Sequence, residues 1–214
     1  MEINRVGIII PALNEESTIE KIINSAKLYG TVIVVDDGSI DKTAKISIES
    51  GALLVKHATN LGYVQSLSSG LKKASDLCLD IAITIDADGQ HRTEYIENFI
   101  NLIRSGNSVV VGRRSKFQRF AELVFSIVSR LKWGIYDPLC GLKAYDMKFY
   151  NEVGFFDEMN SIGAELAIHA AKSNRNIGEI DIQIEKRKDS PRFGNAMRSN
   201  FLIFGALLRC LRKF

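Results

Sequence analysis

Four short apolar runs, each followed by turn or helix-start residues, constrain the fold of this chain more than any other feature. They span residues 6–12, 31–35, 52–56 and 79–85. Continuous apolar runs of this length are typical of parallel strands that are buried on both faces. Because strands alternate with helical segments, the pattern predicts an α/β fold with an open, mostly parallel sheet flanked by helices.

The rest of the chain predicts further elements of both kinds. The first helix is expected over residues 17–29, where Ser17 and Glu20 would form a capping box at its start. Further strands are expected at 108–112, 142–145 and 176–185, the last of them at a sheet edge. Further helices are expected at 94–104, 119–132 and 161–172.

Polar clusters follow three of the four strands, at the points where those strands end. They comprise Asn14 with Glu15, Asp36 with Asp37, and Asp86 with Asp88. Right-handed crossovers bring the carboxyl ends of parallel strands to one edge of a sheet, which is where α/β proteins bind ligands. The three clusters are therefore expected to converge on a single site.

Asp86 and Asp88 lie one residue apart in a turn, so their carboxylates can face a single point. Such a pair repels itself unless a cation lies between the two groups. Mg²⁺ and Mn²⁺ prefer oxygen ligands and usually bind together with a phosphate. The pair therefore favours a Mg²⁺ or Mn²⁺ site. The alternative is that these aspartates cap the helix that starts near Thr93.

Composition and motif content exclude several classes of protein. No GxGxxG follows the first strand and no GxxxxGK[ST] occurs, so neither a dinucleotide fold nor a P-loop NTPase is supported. The three cysteines form no CxxC pair, which argues against a disulfide framework or a zinc site.

His57 and His169 are interpreted as structural, and His91 as structural or as a neighbour of the metal. A net charge of +3 does not indicate nucleic acid, although basic residues concentrate at 113–132 and 186–213 and favour contact with phosphates or a lipid surface.

Several motifs occur in a fixed order along the chain. They are Pro-Ala-Leu-Asn-Glu at 11–15, Val-Val-Asp-Asp-Gly-Ser at 34–39, Asn-Leu-Gly at 60–62 and Asp-Ala-Asp-Gly-Gln-His at 86–91, followed by shorter matches at 111–114, 137–141, 163–166, 178–180 and 192–194. Together they resemble the motifs of glycosyltransferase family 2. The resemblance covers nearly the whole chain and is greatest for the branch of dolichol-phosphate mannosyltransferases and other polyprenyl-phosphate glycosyltransferases.

This resemblance implies a GT-A fold, the fold of nucleotide-diphospho-sugar transferases. It also implies an inverting transfer of a hexose from a GDP- or UDP-sugar, with one Mg²⁺ or Mn²⁺ ion. Asp86, Asp88 and Gln90 would be the metal ligands, the two acids forming a DXD motif in which Asp88 is catalytic. Residues 1–112 would form the donor-binding half and residues 113–194 the acceptor-binding half. The residues implied in donor binding are Pro11, Ala12, Asn14, Glu15, Asp36, Asp37, Asp86 and Ala87.

Arginines after the strand at 108–112 are the candidate phosphate ligands, because a guanidinium holds a phosphate through two parallel hydrogen bonds. Arg113 is also a candidate catalytic residue. The alternative for Arg113 and Arg114 is a solvated basic loop. Asp137 would orient the acceptor or simply cap a turn. The full set expected at the acceptor is Arg113, Arg114, Arg130, Asp137 and Arg192.

The role of Glu165 depends on the acceptor. A saccharide hydroxyl must lose its proton as it attacks, and Glu165 is the candidate general base. A polyprenyl phosphate is already an anion and needs no base. Glu165 could also be a surface charge on an amphipathic helix. Both acceptors remain open, and the lipid phosphate is favoured because it fits the arginines.

The sequence also bears on location and partners. No apolar run approaches the roughly 20 residues that span a bilayer, and the N-terminus lacks a signal-peptide layout, so a cytoplasmic protein is expected. Residues 195–214 would form a basic and apolar helix that either packs on the domain or lies in a membrane interface on the cytoplasmic face. A membrane-protein partner is the further alternative.

Two other classes of protein remain as alternatives. A phospho-receiver module also combines an acidic pair, a further aspartate and a lysine, here residues 36–37, Asp86 and Lys143. That class leaves Asp88 unexplained, and the chain is far longer than a receiver needs. A catalytically inactive homologue that binds a sugar nucleotide for regulation is the second alternative, against which the intact pair of Asp86 and Asp88 argues.

Overall fold

One sheet organises the part of the chain that the computed structural model describes, residues 5–185 and 196–214. Its strands are Val6–Ala12 (β1), Thr31–Asp36 (β2), Leu53–Lys56 (β3), Ile81–Thr84 (β4), Val109–Arg114 (β5), Lys143–Asp146 (β6) and Ile177–Ile182 (β7). They lie in the order β3-β2-β1-β4-β6-β5-β7. β7 is at the edge, as its sequence predicted.

Helices connect most of these strands. They are Ile19–Ala26 (α1), Thr43–Glu49 (α2), Tyr63–Asp76 (α3), Ile96–Arg104 (α4), Phe120–Trp133 (α5), Met147–Val153 (α6), Glu165–Lys172 (α7) and Ala196–Lys213 (α8). A short 3₁₀ turn, Thr93–Tyr95, precedes α4. The predicted α/β fold with a mostly parallel sheet is confirmed.

The strand β6 is the exception to the parallel pattern. β1 pairs in parallel with β2 and β4, and β5 pairs in parallel with β7. β6 lies between β4 and β5 and runs antiparallel to both. The loop before β6 returns to the carboxyl edge of the sheet, where the Gly112 amide donates to the Leu142 carbonyl at 3.0 Å, so β6 must start from that edge.

The centre of the sheet is buried on both faces, as its continuous apolar runs predicted. Ile8, Ile9 and Ile10 alternate between the two faces, and all three are fully buried. α3 covers the face of Ile9 at close range, because a Cβ added at Gly70 would lie 2.3 Å from Ile9 Cγ2. This close contact fixes α3 and the loop before it over β1 and β2.

The structure corrects two local predictions and adds one helix. The capping box of Ser17 and Glu20 is wrong, because α1 begins at Ile19 after Thr18, and the Thr18 hydroxyl donates to the Ala87 carbonyl at 2.7 Å instead. The helix expected from residue 161 begins at Glu165. The helix α6 was not predicted. Its start is capped by Asp146, which accepts from the Lys148 amide at 3.0 Å.

The predicted division at residue 112 falls inside β5, so the two proposed halves share one sheet. The C-terminal helix α8 packs on the domain through one face, where Ser199, Ile203, Ala206, Leu207 and Cys210 are buried. None of the helices among the described residues is both long enough and apolar enough to cross a membrane.

Candidate active site

The ends of β1 and β2 lie level with each other, since Ala12 pairs with Asp36. Beyond this pair the Asp37 amide donates to the Ala12 carbonyl at 2.9 Å. Asn14 has a φ of +52° and joins the two loops, because its amide donates to Ser39 Oγ at 2.9 Å and its Oδ1 accepts from the Ile40 amide at 2.8 Å. The first two predicted clusters are therefore in contact.

The third cluster joins them through Glu15 and Thr18. Glu15 is buried, and its amide donates to Thr43 Oγ1 at 2.7 Å. The Thr18 hydroxyl lies 3.1 Å from Glu15 Oε2 as well as 2.7 Å from the carbonyl oxygen of Ala87, between Asp86 and Asp88. The predicted convergence of the three clusters at one edge of the sheet is thus confirmed, and Pro11 and Ala12 form the buried floor beside them.

Both carboxylate oxygens of Asp37 are hydrogen-bonded within the protein. Its Oδ1 pairs with His57 Nδ1 at 2.7 Å and accepts from the Leu61 amide at 2.9 Å, and its Oδ2 accepts from the Gly62 amide at 2.8 Å. His57 Nε2 in turn lies 2.9 Å from Ser69 Oγ on α3. This carboxylate holds the Asn-Leu-Gly loop, a partner set that the sequence did not reveal.

Asp36 differs from its neighbour. Its Oδ1 accepts from the Ser39 amide at 3.1 Å. Its Oδ2 is buried and has no hydrogen-bond partner among the described residues. An unsatisfied buried acceptor is costly, so a hydrogen-bond donor would stabilise this oxygen, although the Asp36 side chain is 0% exposed.

Asp86 lies at the centre of the edge. Its Oδ1 accepts from the Tyr63 hydroxyl at 3.0 Å, and its Oδ2 lies 3.3 Å from His91 Nε2. Burial by itself raises the pKa of this carboxyl, but the hydrogen bonds and charge of His91, the Tyr63 hydroxyl and the charge of Arg114 outweigh burial and lower it. The pKa of Tyr63 is raised by its own burial and by Asp86, so Tyr63 stays a donor. Asp86 is held as an anion.

The loop before β6 also touches Asp86. A Cβ built at Gly141 would lie 2.1 Å from Asp86 Oδ2, so only glycine allows this backbone to pass the carboxylate. The Gly141 carbonyl accepts from Thr84 Oγ1 at 2.8 Å and fixes the approach. The close approach of the backbone to Asp86 therefore explains why the motif at 137–141 has a glycine at position 141.

The turn after Asp86 is hydrogen-bonded to Glu185, the last described residue before the gap at 186–195. Asp88 Oδ1 accepts from the Gln90 amide at 3.0 Å. The Gln90 carbonyl accepts from the Glu185 amide at 2.9 Å, and Gln90 Nε2 donates to the Glu185 carbonyl at 3.2 Å. The Gln90 amide oxygen therefore remains as the polar group that this side chain can offer to a ligand.

A divalent cation fits this set of donors. Asp86 and Asp88 supply carboxylate oxygens, Gln90 an amide oxygen, and Asp86 is kept ionised. Among the described residues no three His, Cys, Asp or Glu side chains group closely enough to hold an ion alone. Mg²⁺ is commonly bound by one or two carboxylates, with phosphates and water completing its six positions.

The arginines after β5 have different surroundings. Arg113 forms a two-pronged ion pair with Asp181 on β7 and lies over the ring of Tyr136, with Cζ 5.1 Å from the ring centroid. Arg130 approaches the same ring at 5.6 Å. These residues, with Gly134 and Glu179, line a small pocket of about 510 Å³. Arg113 and Arg130 thus share one wall of a polar pocket.

The side chain of Arg114 is only 11% exposed and is held by two carboxylates. It donates to both oxygens of Asp137, at 2.6 and 2.9 Å, and lies 3.4 Å from Glu122 Oε2. Burial opposes its charge, but Asp137 and Glu122 outweigh burial and raise the pKa of Arg114. Asp137 is therefore not a simple turn cap, and neither side chain lies in a solvated loop.

Glu165 is fully buried at the start of α7. Its Oε2 accepts from the amides of Glu158 and Met159, at 2.7 and 3.0 Å, and its Oε1 from Lys213 Nζ at 2.5 Å. The alternative of a surface charge is wrong. Its role as a general base stays a prediction, because a base would have to exchange one of these donors for the acceptor hydroxyl.

A groove of about 1150 Å³ opens beside Tyr63 and continues along α3 towards Lys72. Phe155, Asp157 and the α8 residues Leu202 and Arg209 line its other side. Tyr63, which joins this groove to Asp86, was missed because a lone tyrosine after a glycine carries no motif. Arg192 and Lys188 lie outside the described residues.

The fold and the carboxylates at this edge define the GT-A class of nucleotide-diphospho-sugar transferases. The crystal structure of glucosyl-3-phosphoglycerate synthase from Mycobacterium tuberculosis, in complex with Mn²⁺ and UDP-glucose, has the same fold. The TM-score is 0.75, the identity is 22%, and the match covers 97% of this chain and 79% of that one.

A model of the family "Glycosyl transferase family 2" matches residues 7–156, and the chain belongs to this family of enzymes. The UDP-N-acetylglucosamine–dolichyl-phosphate N-acetylglucosaminyltransferase of Methanococcus voltae is 32% identical, with 95% of this chain and 94% of that protein covered. The undecaprenyl-phosphate 4-deoxy-4-formamido-L-arabinose transferase of Pectobacterium carotovorum is 27% identical, with 98% and 68% covered. The predicted family is confirmed.

Proposed function

We propose that this glycosyltransferase moves a hexose from a nucleoside-diphosphate sugar to a polyprenyl phosphate, with inversion and with one Mg²⁺ or Mn²⁺ ion. The observation that carries the proposal is the loop at 137–141, which joins an acidic site to a basic one. Asp137 holds Arg114 at one end of this loop, and Gly141 lies against Asp86 at the other. Two relatives whose names specify dolichyl and undecaprenyl phosphate support the acceptor.

The donor would bind over the ends of β1, β2 and β4. Asp36 Oδ2, buried without a partner among the described residues, would accept a hydrogen bond from the base or ribose. The loop of Asn14 and Glu15 would close on the nucleoside, supported from behind by Ser39 and Thr43. Asp37 would act indirectly, by fixing the loop at 60–62.

The leaving diphosphate needs its growing charge stabilised. A cation held by Asp86, Asp88 and Gln90 would act on it as a Lewis acid. The protein prepares this place through Tyr63 and His91, which orient Asp86 and keep it ionised. A solved structure of the same fold was crystallised with Mn²⁺ and UDP-glucose, which supports the use of a divalent cation with a donor of this class.

The acceptor would enter from the basic side. An anionic phosphate oxygen attacks the anomeric carbon as the bond from that carbon to the diphosphate oxygen breaks, so one negative charge passes from acceptor to diphosphate. No proton has to be removed. Arg113 and Arg130 would hold the acceptor phosphate, and Arg114 would add positive charge from the interior.

The acceptor assignment also fits Glu165. Both of its oxygens are occupied by donors, and one donor is the cation Lys213. To act as a base, Glu165 would have to release one of these donors, whereas transfer to a phosphate requires no base.

The first experiment is thermal unfolding with UDP, GDP and their common sugars, with and without Mn²⁺. A ligand that binds only the folded state raises the melting temperature by mass action. We expect one nucleotide series to give a metal-dependent shift that is lost in Asp88→Ala and kept in the exposed control Asp76→Ala. No shift with any nucleotide, or an unchanged shift in Asp88→Ala, would contradict the proposal.

The second experiment separates the two acceptors. Sugar transfer is measured with undecaprenyl phosphate and with simple saccharides, in the native protein and in Glu165→Gln. We expect product with the lipid phosphate and a loss of rate well below tenfold in Glu165→Gln. Transfer to a saccharide that falls by roughly 10² or more in Glu165→Gln would instead identify a hydroxyl acceptor and a base.

A further inference from the structure

The outer surface of α5 carries an apolar stripe. Phe120, Leu123, Ile127 and Leu131 are 68%, 41%, 51% and 83% exposed. At about 100° per residue these positions fall within about 80° of one another around the helix. Amphipathic helices in soluble proteins normally turn such a stripe inwards, whereas here it is the other side, with Ala121, Phe125 and Ser129, that is buried.

The helix α8 carries a second stripe. Met197, Phe201 and Leu208 are 69%, 75% and 55% exposed. They fall within about 40° of one another around the helix. The opposite side of α8 is the one that packs on the domain, so this stripe also lacks a cover among the described residues.

The two stripes form one surface. The Ala121 amide donates to Asn200 Oδ1 at 3.2 Å near the start of both helices, and Lys132 Nζ lies 3.5 Å from the Leu211 carbonyl near their ends. The helices therefore run side by side in the same direction. The rings of Phe120 and Phe204, 6.5 Å apart, bridge them on the outer side. We call this surface, formed by Phe120, Leu123, Ile127, Leu131, Met197, Phe201 and Leu208, the α5–α8 face.

The charges within these two helices and the loop before α5 are almost all positive. Exposed cations in these two helices and the loop before α5 are Lys116, Arg130, Lys132, Arg198, Arg209, Arg212 and Lys213. The one acid in residues 115–134 and 196–214 is Glu122, which is buried between Arg114 and Arg119. A second copy of this surface would bring like charges together, whereas an anionic layer would neutralise them.

We propose that the α5–α8 face docks on a bilayer surface that contains anionic lipids. Apolar side chains would enter the headgroup region while the surrounding Arg and Lys pair with lipid phosphates, as interfacial helices do. The helix α8 also borders the candidate active site, because Leu202 and Arg209, on its flank beside the face, line the same groove as Tyr63. Docking through this face would place the mouth of this groove at the lipid layer. Membrane docking is a property separate from the proposed reaction.

The test is sedimentation of the protein with vesicles. One set is phosphatidylcholine alone and the other an equal mixture with phosphatidylglycerol, and neither donor nor acceptor is added. We expect binding to the mixed vesicles that weakens as salt rises. Leu131→Glu and Phe201→Glu should each reduce the bound fraction at least about tenfold, because each puts a negative charge in the face. Arg198→Glu should reduce it about as much.

Matched control variants outside the face separate its specific contribution from general effects of an added negative charge. Leu28 is 79% exposed and lies outside the face, so Leu28→Glu should bind like the native protein, and so should Lys21→Glu. No binding to either vesicle, or equal loss in face and control variants, would overturn the proposal. So would a dimer in solution that Leu131→Glu dissociates, since a second copy would then cover the face.

The outcome is independent of the proposed reaction. With a short, water-soluble isoprenyl phosphate as acceptor, Leu131→Glu should keep the native rate, because the exposed Leu131 side chain lines neither the pocket of Arg113 and Arg130 nor the groove beside Tyr63. Vesicle binding without transferase activity would support docking and contradict the reaction. Sugar transfer without vesicle binding would support the reaction and contradict docking.

Discussion

Three carboxylates selected by the motifs share one property at the residue scale. Asp37, Asp137 and Glu165 are buried, and each accepts hydrogen bonds from donors of the protein itself. They shape loops around the site. Asp86 and Asp88 are half-buried in the turn after β4 and are the acids that we propose meet a cation. The acidic residues thus divide into those that build the site and those that face its ligand.

Lys143 gives a prediction at this scale. It is buried at the start of β6, its Nζ donates to the Gly163 carbonyl at 2.8 Å, and burial lowers the pKa of Lys143 to about 8. An unfolded lysine has a pKa near 10.4, so between about pH 8 and pH 10.4 the unfolded chain holds a proton that the folded protein has released. The contribution of Lys143 to the free energy of unfolding therefore rises with pH, by about 3 kcal/mol across this window.

The measurement is chemical unfolding of the native protein and of Lys143→Met at several pH values from 7.5 to 10. The difference in unfolding free energy between the two should change steadily across the window, since only the native protein has this group. Lys45→Met, at an exposed lysine, should follow the native protein. A pH-independent difference between Lys143→Met and the native protein would show that folding does not lower the pKa of Lys143.

Close packing of α3 on the sheet matters at the scale of elements. A Cβ at position 70 would meet Ile9 Cγ2 at 2.3 Å and Val35 Cγ2 at 3.2 Å. Gly70→Ala removes a helix-weakening glycine, but it must push α3 away from β1 and β2.

We expect Gly70→Ala to lower the free energy of unfolding by about 1–3 kcal/mol, because the overlap outweighs the gain in helix propensity. Denaturant unfolding measures the change, and Gln65→Ala on the exposed side of α3 is the control, with an effect within about 0.5 kcal/mol. Donor affinity should fall as well, since α3 carries Tyr63. Equal or greater stability of Gly70→Ala would contradict the tight contact.

The sequence predicted those elements whose signal is local. β1 and β2 are continuous apolar runs between clear turns, and their ends carry the clusters at 12–15 and 36–39, so strands and site edge were both predictable. The reversed direction of β6 was not, because it depends on where the loop at 134–142 returns. The capping box failed because Thr18 bonds to Ala87, 69 residues away.

The partners of the site acids were unpredictable for the same reason. His57 lies 20 residues from Asp37, Arg114 lies 23 from Asp137, and Lys213 lies 48 from Glu165. A motif specifies the type of a residue and its place at the end of a strand, whereas its donors arrive from other elements through the tertiary fold.

At the scale of the whole molecule, the C-terminal helix α8 is joined to the rest of the domain through Glu165. Lys213, near the end of α8, donates to this fully buried carboxylate, while Arg209 donates to the Met159 and Asn160 carbonyls, both at 2.7 Å. The C-terminal helix is thereby fixed to the loop that lines the groove.

Removing the ammonium group of Lys213 should weaken the attachment of α8 to this loop. Lys213→Met leaves the buried Glu165 oxygen without its charged donor, so we expect a loss of about 1–3 kcal/mol in the free energy of unfolding. The neighbouring Arg212→Met, whose side chain is exposed, should change stability by less than about 0.5 kcal/mol. Thermal unfolding compares the two, and equal melting temperatures would show that the pair contributes nothing.

The reversed strand β6 has a consequence for how this protein is made. The acids that we propose to bind the metal follow the end of β4. One neighbour of β4 is β1 and the other is β6, so Ile81 stays unpaired on that side until Asp146 has been synthesised. During synthesis β4 is an open sheet edge for some sixty residues of growth, and open edges recruit other chains. A fragment that stops after residue 112 should therefore aggregate, although it contains every acid of the donor site.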